Sequence, residues 1–174
     1  DPNQIEKLLG TETDFIVDWL ELQIETFPSI DGIFILDDIV GFLGEEDFKQ
    51  TAMPYLERIY KAFDVSVKFF HNDAAGIVSA PYLEHIGINL FNFGFEHPIA
   101  QMKELVNSSV TLLGNIPPRD VLAEGTAADV RDSVKSMIGS VKDKSRIILS
   151  CGGGIPFGVS TENIEAFMKA AGYN

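Results

Sequence analysis

Residues 65–76, VSVKFFHNDAAG, decide the fold expected of this chain. Branched and aromatic residues dominate VSVKFF, which predicts a buried β-strand. The strand meets His71, Asn72 and Asp73 and then a small-residue turn, so the stretch predicts one β/α unit with polar groups at the carboxyl end of its strand. His71 and Asp73 are two residues apart and point the same way if the strand continues through them. An imidazole and a carboxylate that converge there could bind a metal, act as an acid–base pair, or hydrogen-bond each other.

Composition limits the class of protein. The chain has 174 residues, is 45% hydrophobic and carries a formal net charge of −13. These values predict one globular domain over residues 1–174, with leading helices in 1–28 and β/α units in 29–174. The acidic balance argues against nucleic acid and anionic membranes as partners and leaves a small-molecule substrate. Cys151 is the one cysteine, which fits a reducing, cytoplasmic compartment.

The pattern of a strand followed by a helix repeats along the chain. Strands are predicted at 31–36, 65–70, 88–95, 110–113 and 146–149, and helices at 1–9, 13–27, 45–63, 77–86, 99–106, 126–141 and 160–171. Gly10 is expected to end the first helix, and Pro54 to kink the longest, 45–63. Strands this apolar are typical of a parallel sheet covered by helices, so the fold class is α/β, either doubly wound or a barrel.

Two adjacent carboxylates, Asp37 and Asp38, follow the first predicted strand. Ligand and catalytic groups lie at this end of the strands in both architectures. Asp37 and Asp38 are therefore candidates for holding a substrate or cofactor group. The alternative is that one bonds to loop backbone and the other is solvated. Neighbouring residues of a strand point apart, which argues against a carboxylate pair that shares one proton.

Other polar residues follow the later strands. Glu96 is a candidate general base or ligand partner, with an ordinary loop carboxylate as the alternative. Asn115 carries an amide suited to positioning a substrate. Gly152, Gly153 and Gly154 follow the last strand, where backbone amides can come close to a phosphate or carboxylate.

Several strings together resemble the uroporphyrinogen decarboxylase (URO-D) superfamily. They are GIFILDDIVGF (32–42), MPYLERI (53–59), FFHND (69–73), LLGNIPPRDVLAEGTAADV (112–130) and ILSCGGGIPFGVSTENIEAF (148–167). The superfamily contains porphyrinogen decarboxylases and cobalamin- or corrinoid-dependent methyltransferases. Its fold is a TIM-like (β/α)8 barrel, and the chain resembles the carboxyl-terminal half of that barrel, with about five parallel strands.

Five β/α units cannot close such a barrel. An open half exposes apolar inner surface, at a cost of about 25 cal/mol per Å². The resemblance therefore implies either a missing amino-terminal half or a homodimer in which two copies cover each other.

The resemblance also implies a metal site. The methyltransferases resembled hold zinc with a His-x-Cys pair at the FFHND strand end and a second cysteine after the last strand. Here His71 matches the histidine, Asp73 stands in place of the first cysteine, and the second would fall near Gly153, two residues after Cys151. One hypothesis is a zinc site of His71, Asp73 and Cys151. The alternative is no metal, with Asp73 orienting His71 or capping a helix and Cys151 a buried structural thiol.

Three functions follow from the resemblance. The first is transfer of a methyl group between a small donor, a corrinoid and a thiol, with His71, Asp73 and Glu96 as catalytic residues, a corrinoid (cobalamin) as methyl carrier and a corrinoid protein as partner. The second is uroporphyrinogen decarboxylation in porphyrin (haem) biosynthesis. That reaction is disfavoured, because the decarboxylases have a histidine in a G-H-G string where Gly152–Gly154 stands here. A polycarboxylate substrate also calls for arginines, and few lie near the predicted strand ends, Arg119 being the best placed. The third is a non-catalytic corrinoid- or porphyrin-binding module, or an inactive fragment.

Overall fold

A single parallel sheet organises the chain in the computed structural model, which describes residues 1–173. Its strands are β1 (Gly32–Leu36), β2 (Val67–Asn72), β3 (Leu90–Phe93), β4 (Thr111–Ile116) and β5 (Ile147–Cys151). They lie side by side in chain order, every neighbouring pair parallel. Five parallel strands that alternate with helices confirm the expected partial barrel.

The helices lie between the strands and at both ends of the chain. They are α1 (Pro2–Thr26), α2 (Glu45–Thr51), α3 (Met53–Lys61), α4 (Leu83–Ile86), α5 (Ile99–Leu105), α6 (Ala127–Ser140) and α7 (Thr161–Ala170), with 3₁₀ turns at Ile39–Phe42 and Ala80–Tyr82 and a π-helical turn at Pro118–Ala123. Among residues 1–173, no helix is both long and apolar enough to cross a bilayer.

The first helix differs from its prediction. Asp1 accepts a hydrogen bond from the Asn3 amide at 3.1 Å and caps α1, as expected. Gly10, however, does not end the helix, which runs on to Thr26. A glycine in a helix costs about 1 kcal/mol, and packing of the inner side of α1, with Thr13 buried against its neighbours, outweighs that cost.

Two prolines divide segments that were predicted as continuous helices. The predicted helix 45–63 is interrupted at Ala52, and Pro54 lies in the first turn of α3, where its missing N–H is not needed. The predicted helix 77–86 is reduced to a 3₁₀ turn containing Pro81 and the single turn of α4, which Gly87 ends in a left-handed conformation. By contrast, α6 begins as predicted, with a reciprocal capping box between Thr126 and Asp129.

The two faces of the sheet have different surroundings. The covered face packs under the helices and carries fully buried side chains, among them Phe70, Phe91 and Leu112. The open face, by contrast, stays partly exposed within residues 1–173. Its exposed apolar side chains are Phe34, Leu36, Val67 and Ile148, which are 42–58% exposed. The open face corresponds to the inside of a barrel, so the expectation of uncovered inner surface agrees with the structure.

Candidate metal and catalytic site

Three side chains converge at the carboxyl end of β1 and β2. The Nε2 atom of His71 lies 3.7 Å from Oδ2 of Asp73 and 4.0 Å from Oδ1 of Asp38. One potential ligand atom from each residue lies within 4.8 Å of the others. The structure thus brings together His71 and Asp73, as the sequence predicts, and adds Asp38, which the sequence analysis assigns to substrate binding rather than to a metal.

Strand register explains why these three meet. Leu36 of β1 pairs with His71 of β2, so the residues just after β1 lie beside the end of β2. Asp37 donates its amide to the carbonyl of His71 at 3.0 Å, and the Asp73 amide donates to Oδ1 of Asp38 at the same distance. These backbone contacts hold the Asp38 and Asp73 carboxylates on the same side as the imidazole.

The neighbouring carboxylate, Asp37, has a different role. Its Oδ1 accepts the amides of Ile39 at 3.0 Å and Val40 at 3.4 Å, and so caps the 3₁₀ turn after β1. Burial is the main cause that raises the pKa of this carboxyl group above its ordinary value. The structure therefore separates the predicted pair, with Asp38 in the cluster and Asp37 bound to backbone.

The cluster is electrostatically acidic. Burial, followed by the nearby charge of Asp38, raises the pKa of Asp73. Within residues 1–173, the one salt-bridge partner of either carboxylate is His71, whose side chain is 13% exposed. The Phe34 ring meets the imidazole edge-on at 6.4 Å and stacks on Phe69 at 4.6 Å, so one side of His71 is apolar.

The glycine run after β5 borders the cluster. A Cβ atom at Gly153 would lie 2.7 Å from Oδ2 of Asp73, and the backbone there has φ +115°, so both space and conformation favour glycine. At Gly152 a Cβ atom would collide with the backbone of Phe95, whereas at Gly154 it would meet nothing within 4 Å. Gly153 is thus the member of the run in closest contact with the cluster.

Cys151 is not brought into the cluster. Its thiol donates to the carbonyl of Gly153 at 2.8 Å, and its side chain packs with Leu122 and Val130 under α6 and α7. Burial raises the pKa of the thiol. Cys151 pairs with Ile116 on the covered side of the sheet, so the thiol lies where a structural cysteine would.

Two further predicted site residues lie outside the cluster. The side-chain amide of Asn115 donates to the carbonyls of Gly94 at 3.1 Å and His97 at 2.7 Å, which ties β4 to the loop after β3. Its contacts are therefore with backbone. Glu96 is exposed in that same loop and makes no salt bridge within the described part of the chain.

Two buried amides lie next to the cluster and were not predicted from the sequence. Asn92 pairs with His71 in register, and its side-chain nitrogen donates to the carbonyls of Leu113 at 2.6 Å and Cys151 at 3.3 Å. Asn72 is fully buried between His71 and Asp73, and its Oδ1 accepts the amide of Ala74 at 3.0 Å. An uncharged polar residue inside an apolar strand, as in LFNF, was the available signal.

The donor set determines which metal chemistry fits. One imidazole nitrogen and two carboxylates suit a divalent ion and leave coordination positions open for a substrate. A thiolate zinc site does not fit, because Asp73 replaces one cysteine and Cys151 faces the covered side.

Comparison with known proteins identifies the family to which this chain belongs. A model of the family "Uroporphyrinogen decarboxylase (URO-D)" matches residues 1–172. The chain belongs to the URO-D family. A uroporphyrinogen decarboxylase of Chloroherpeton thalassium is 28% identical over 96% of this chain and 48% of its own length. A methylated-thiol–coenzyme M methyltransferase of Methanosarcina mazei is 22% identical over 98% of this chain and 45% of its own length.

A solved structure shows the same fold. A methyltransferase from Methanosarcina mazei superimposes with a TM-score of 0.75 at 18% identity, covering 91% of this chain and 46% of that protein. The chain thus spans about half the length of the URO-D relatives that it matches, consistent with half of a barrel.

Proposed function

We propose that this chain supplies part of the active site of an enzyme that moves a methyl group between a small donor, a corrinoid and a thiol. The observation that carries the proposal is the cluster of Asp38, His71 and Asp73, in which a single imidazole lies within 4.0 Å of two carboxylates. Such a cluster repels anionic substrates and accepts a proton or a cation.

Methyl transfer to a thiol needs the thiolate, which is the nucleophilic form. Asp38, His71 and Asp73 would hold a divalent ion, zinc among the candidates, and such an ion supplies a positive charge that favours the thiolate. Phe34 keeps water from one edge of the imidazole.

The open face of the sheet supports a site that further polypeptide completes. Phe34 and Leu36 lie beside the cluster and are more than half exposed. In the proposed enzyme, a missing barrel half or a second copy covers this face, and a corrinoid protein presents the methyl group at the carboxyl end of the strands.

Uroporphyrinogen decarboxylation is the second candidate, because several relatives carry that name. The site favours it less. Within the described chain, neither Asp38 nor Asp73 is paired with a lysine or arginine that could also bind a polycarboxylate, and Gly152–Gly154 holds no histidine.

The test is an assay of the protein in its natural full length, with methylcobalamin as donor and 2-mercaptoethanol as an uncharged thiol. We expect methyl transfer that falls by about 100-fold or more in His71→Ala. His85→Ala is the matched control, because His85 is exposed on α4 and pairs with Glu57 at 3.4 Å, so its loss leaves the rate unchanged.

Two outcomes contradict the proposal. Decarboxylation of uroporphyrinogen that survives chelators, without methyl transfer, identifies the second candidate. A spectral change of methylcobalamin on binding, without transfer to any thiol, identifies a binding module.

A further inference from the structure

We infer that the substrate at the candidate site carries a protonated amine, and that the side chain of Asn92 accepts a hydrogen bond from it. In the proposed reaction, on which this inference rests, the methyl acceptor is then an aminothiol rather than a neutral or acidic thiol. Two observations support it. A buried amide presents its oxygen beside His71, and the loops at the carboxyl end of the sheet are acidic.

Strand register places Asn92 on the open face of the sheet, next to His71. These two residues are paired between β3 and β2, whereas Phe91 and Phe93, on either side of Asn92, are buried in the core of the covered face. Successive side chains of a strand point to opposite faces, so the amide of Asn92 shares a face with the imidazole. Asn92 is only 4% exposed and is therefore a buried polar group beside the cluster.

Two hydrogen bonds fix the orientation of this amide. Its nitrogen donates to the carbonyls of Leu113 at 2.6 Å and Cys151 at 3.3 Å, which uses both of its hydrogens. The Oδ1 atom of Asn92 accepts no hydrogen bond from residues 1–173 and is left as an acceptor for a ligand. The carboxylates of Asp38 and Asp73 are also acceptors, so the site is suited to a substrate that brings hydrogen-bond donors.

The loops around the site favour a positively charged substrate. The segments that follow the five strands are residues 37–44, 73–79, 94–98, 117–126 and 152–160. Together they contain six acidic residues and one lysine or arginine, which is Arg119. The side chain of Arg119 is 77% exposed and already pairs with Asp120 at 3.4 Å. A carboxylate or sulfonate on the substrate would therefore meet an excess of like charge.

The charge of the proposed metal site leads to the same substrate class. Asp38 and Asp73 would neutralise a divalent ion, so an added thiolate leaves one negative charge at the site, which a substrate ammonium group balances. Phe34 also suits a cation. Its ring lies beside His71, stacks on Phe69 and is 52% exposed, and a free aromatic face attracts an ammonium group.

Thioethers that share one spacer and differ in charge test amine recognition by binding alone. They are 2-(methylthio)ethylamine, 2-(methylthio)ethanol and 3-(methylthio)propionate, titrated calorimetrically into the natural full-length protein at low salt. We expect the amine to bind at least about tenfold more tightly than the alcohol, and the carboxylate more weakly than the alcohol. Equal dissociation constants for the amine and the alcohol, or tightest binding of the carboxylate, would overturn the inference.

Methyl transfer from methylcobalamin to the corresponding thiols separates this inference from the proposed function. A sulfur–carbon bond forms as the cobalt–carbon bond breaks with its electron pair left on cobalt, and the thiol proton passes to solvent. We expect a KM for 2-aminoethanethiol about tenfold below that for 2-mercaptoethanol. Equal KM values for all the thiols overturn amine recognition alone. Transfer to none of them overturns the proposed reaction, and the thioether affinities still decide amine recognition.

Matched asparagine variants locate the acceptor. Asn92→Leu should lower the preference for the amine thioether over the alcohol by about tenfold, whereas a merely structural role would weaken both equally and contradict the inference. Asn89→Leu is the control that keeps the preference, because Asn89 precedes the same strand and bonds to the backbone of Ser66 and Lys68. Phe34→Leu alters an exposed ring and should lower the preference about two- to fivefold. If Asn92→Leu does not fold, an unchanged preference in Phe34→Leu overturns the inference.

Discussion

The two faces of the five-stranded sheet carry similar aromatic residues but differ in how far these residues are buried. Phe70 and Phe91 on the covered face are fully buried and stack at 5.9 Å under the helices. Phe34 on the open face also stacks on a phenylalanine, Phe69, yet remains 52% exposed. The covered face is packed by helices of this chain, whereas the open face leaves apolar side chains exposed.

The candidate site lies on the open face. His71 shares its strand with Phe70, but alternation along β2 turns the imidazole toward the open face and the phenyl ring toward the core. Within β2, Phe70 therefore contributes to the stability of the core, whereas the adjacent His71 belongs to the candidate site. Four pairs of measurements test this difference between the two faces.

Matched phenylalanine truncations test the division directly. Phe70→Ala removes a fully buried ring and should lower the free energy of unfolding by about 3–5 kcal/mol. Phe34→Ala removes an exposed ring and should cost about 1 kcal/mol, the value of its aromatic pair. Urea denaturation of both variants measures the difference, and equal losses would mean that the open face is covered in solution.

The adjacent aspartates give a second matched pair. Asp38→Asn removes a carboxylate of the cluster and should weaken binding of a divalent ion by about 10- to 100-fold, the usual cost of disturbing a metal site. Asp37→Asn should leave that affinity unchanged, because Asp37 caps a 3₁₀ turn. Calorimetric titration with Zn²⁺ separates the two, and a larger loss in Asp37→Asn would contradict the assignment.

The glycine run offers a third comparison. Gly153→Ala places a methyl group 2.7 Å from the Asp73 carboxylate at a positive φ, and should cost about 1–2 kcal/mol of stability while displacing that ligand. Gly154→Ala meets nothing within 4 Å and should be neutral. Thermal unfolding and Zn²⁺ affinity check both effects. Equal behaviour of the two variants would argue against contact between the run and the cluster.

The smallest effect concerns Cys151. Burial raises the pKa of its thiol, so less thiolate is present at pH 8 in the folded chain than in the unfolded one. Alkylation by iodoacetamide should therefore be at least about tenfold slower in buffer than in urea. A rate in buffer that matches the urea rate would place the thiol on the open face.

Much of the fold could be predicted, because nearly continuous apolar strands and their polar ends are local signals. Helix boundaries were less secure where tertiary packing acts. Gly10 by itself predicts the end of a helix, but packing of the buried side of α1 stabilises the helix beyond this glycine. Pro54 was read as a kink, yet the chain uses it to begin a new helix, α3.

The site was predicted in part. His71 and Asp73 meet because β2 continues to Asn72, as the spacing required. Cys151 was one hypothesis for a ligand, because it lies two residues before the position of the second cysteine in the methyltransferases resembled. Strand β5 reaches Cys151, and its register turns the thiol to the covered side. The 3₁₀ turn after β1 determines that Asp38, and not Asp37, lies in the cluster. The sequence pattern does not predict the geometry of that turn.

Cobalt(II) titration decides which side chains hold a metal ion, because the absorption spectrum of the bound ion reports its ligand atoms. We expect one ion bound per chain, with the weak visible bands of nitrogen and oxygen ligands, and loss of those bands in His71→Ala. A strong sulfur-to-cobalt charge-transfer band would place Cys151 among the ligands and contradict the assignment. Absence of binding would also contradict it, since Asp38, His71 and Asp73 would then have no metal role.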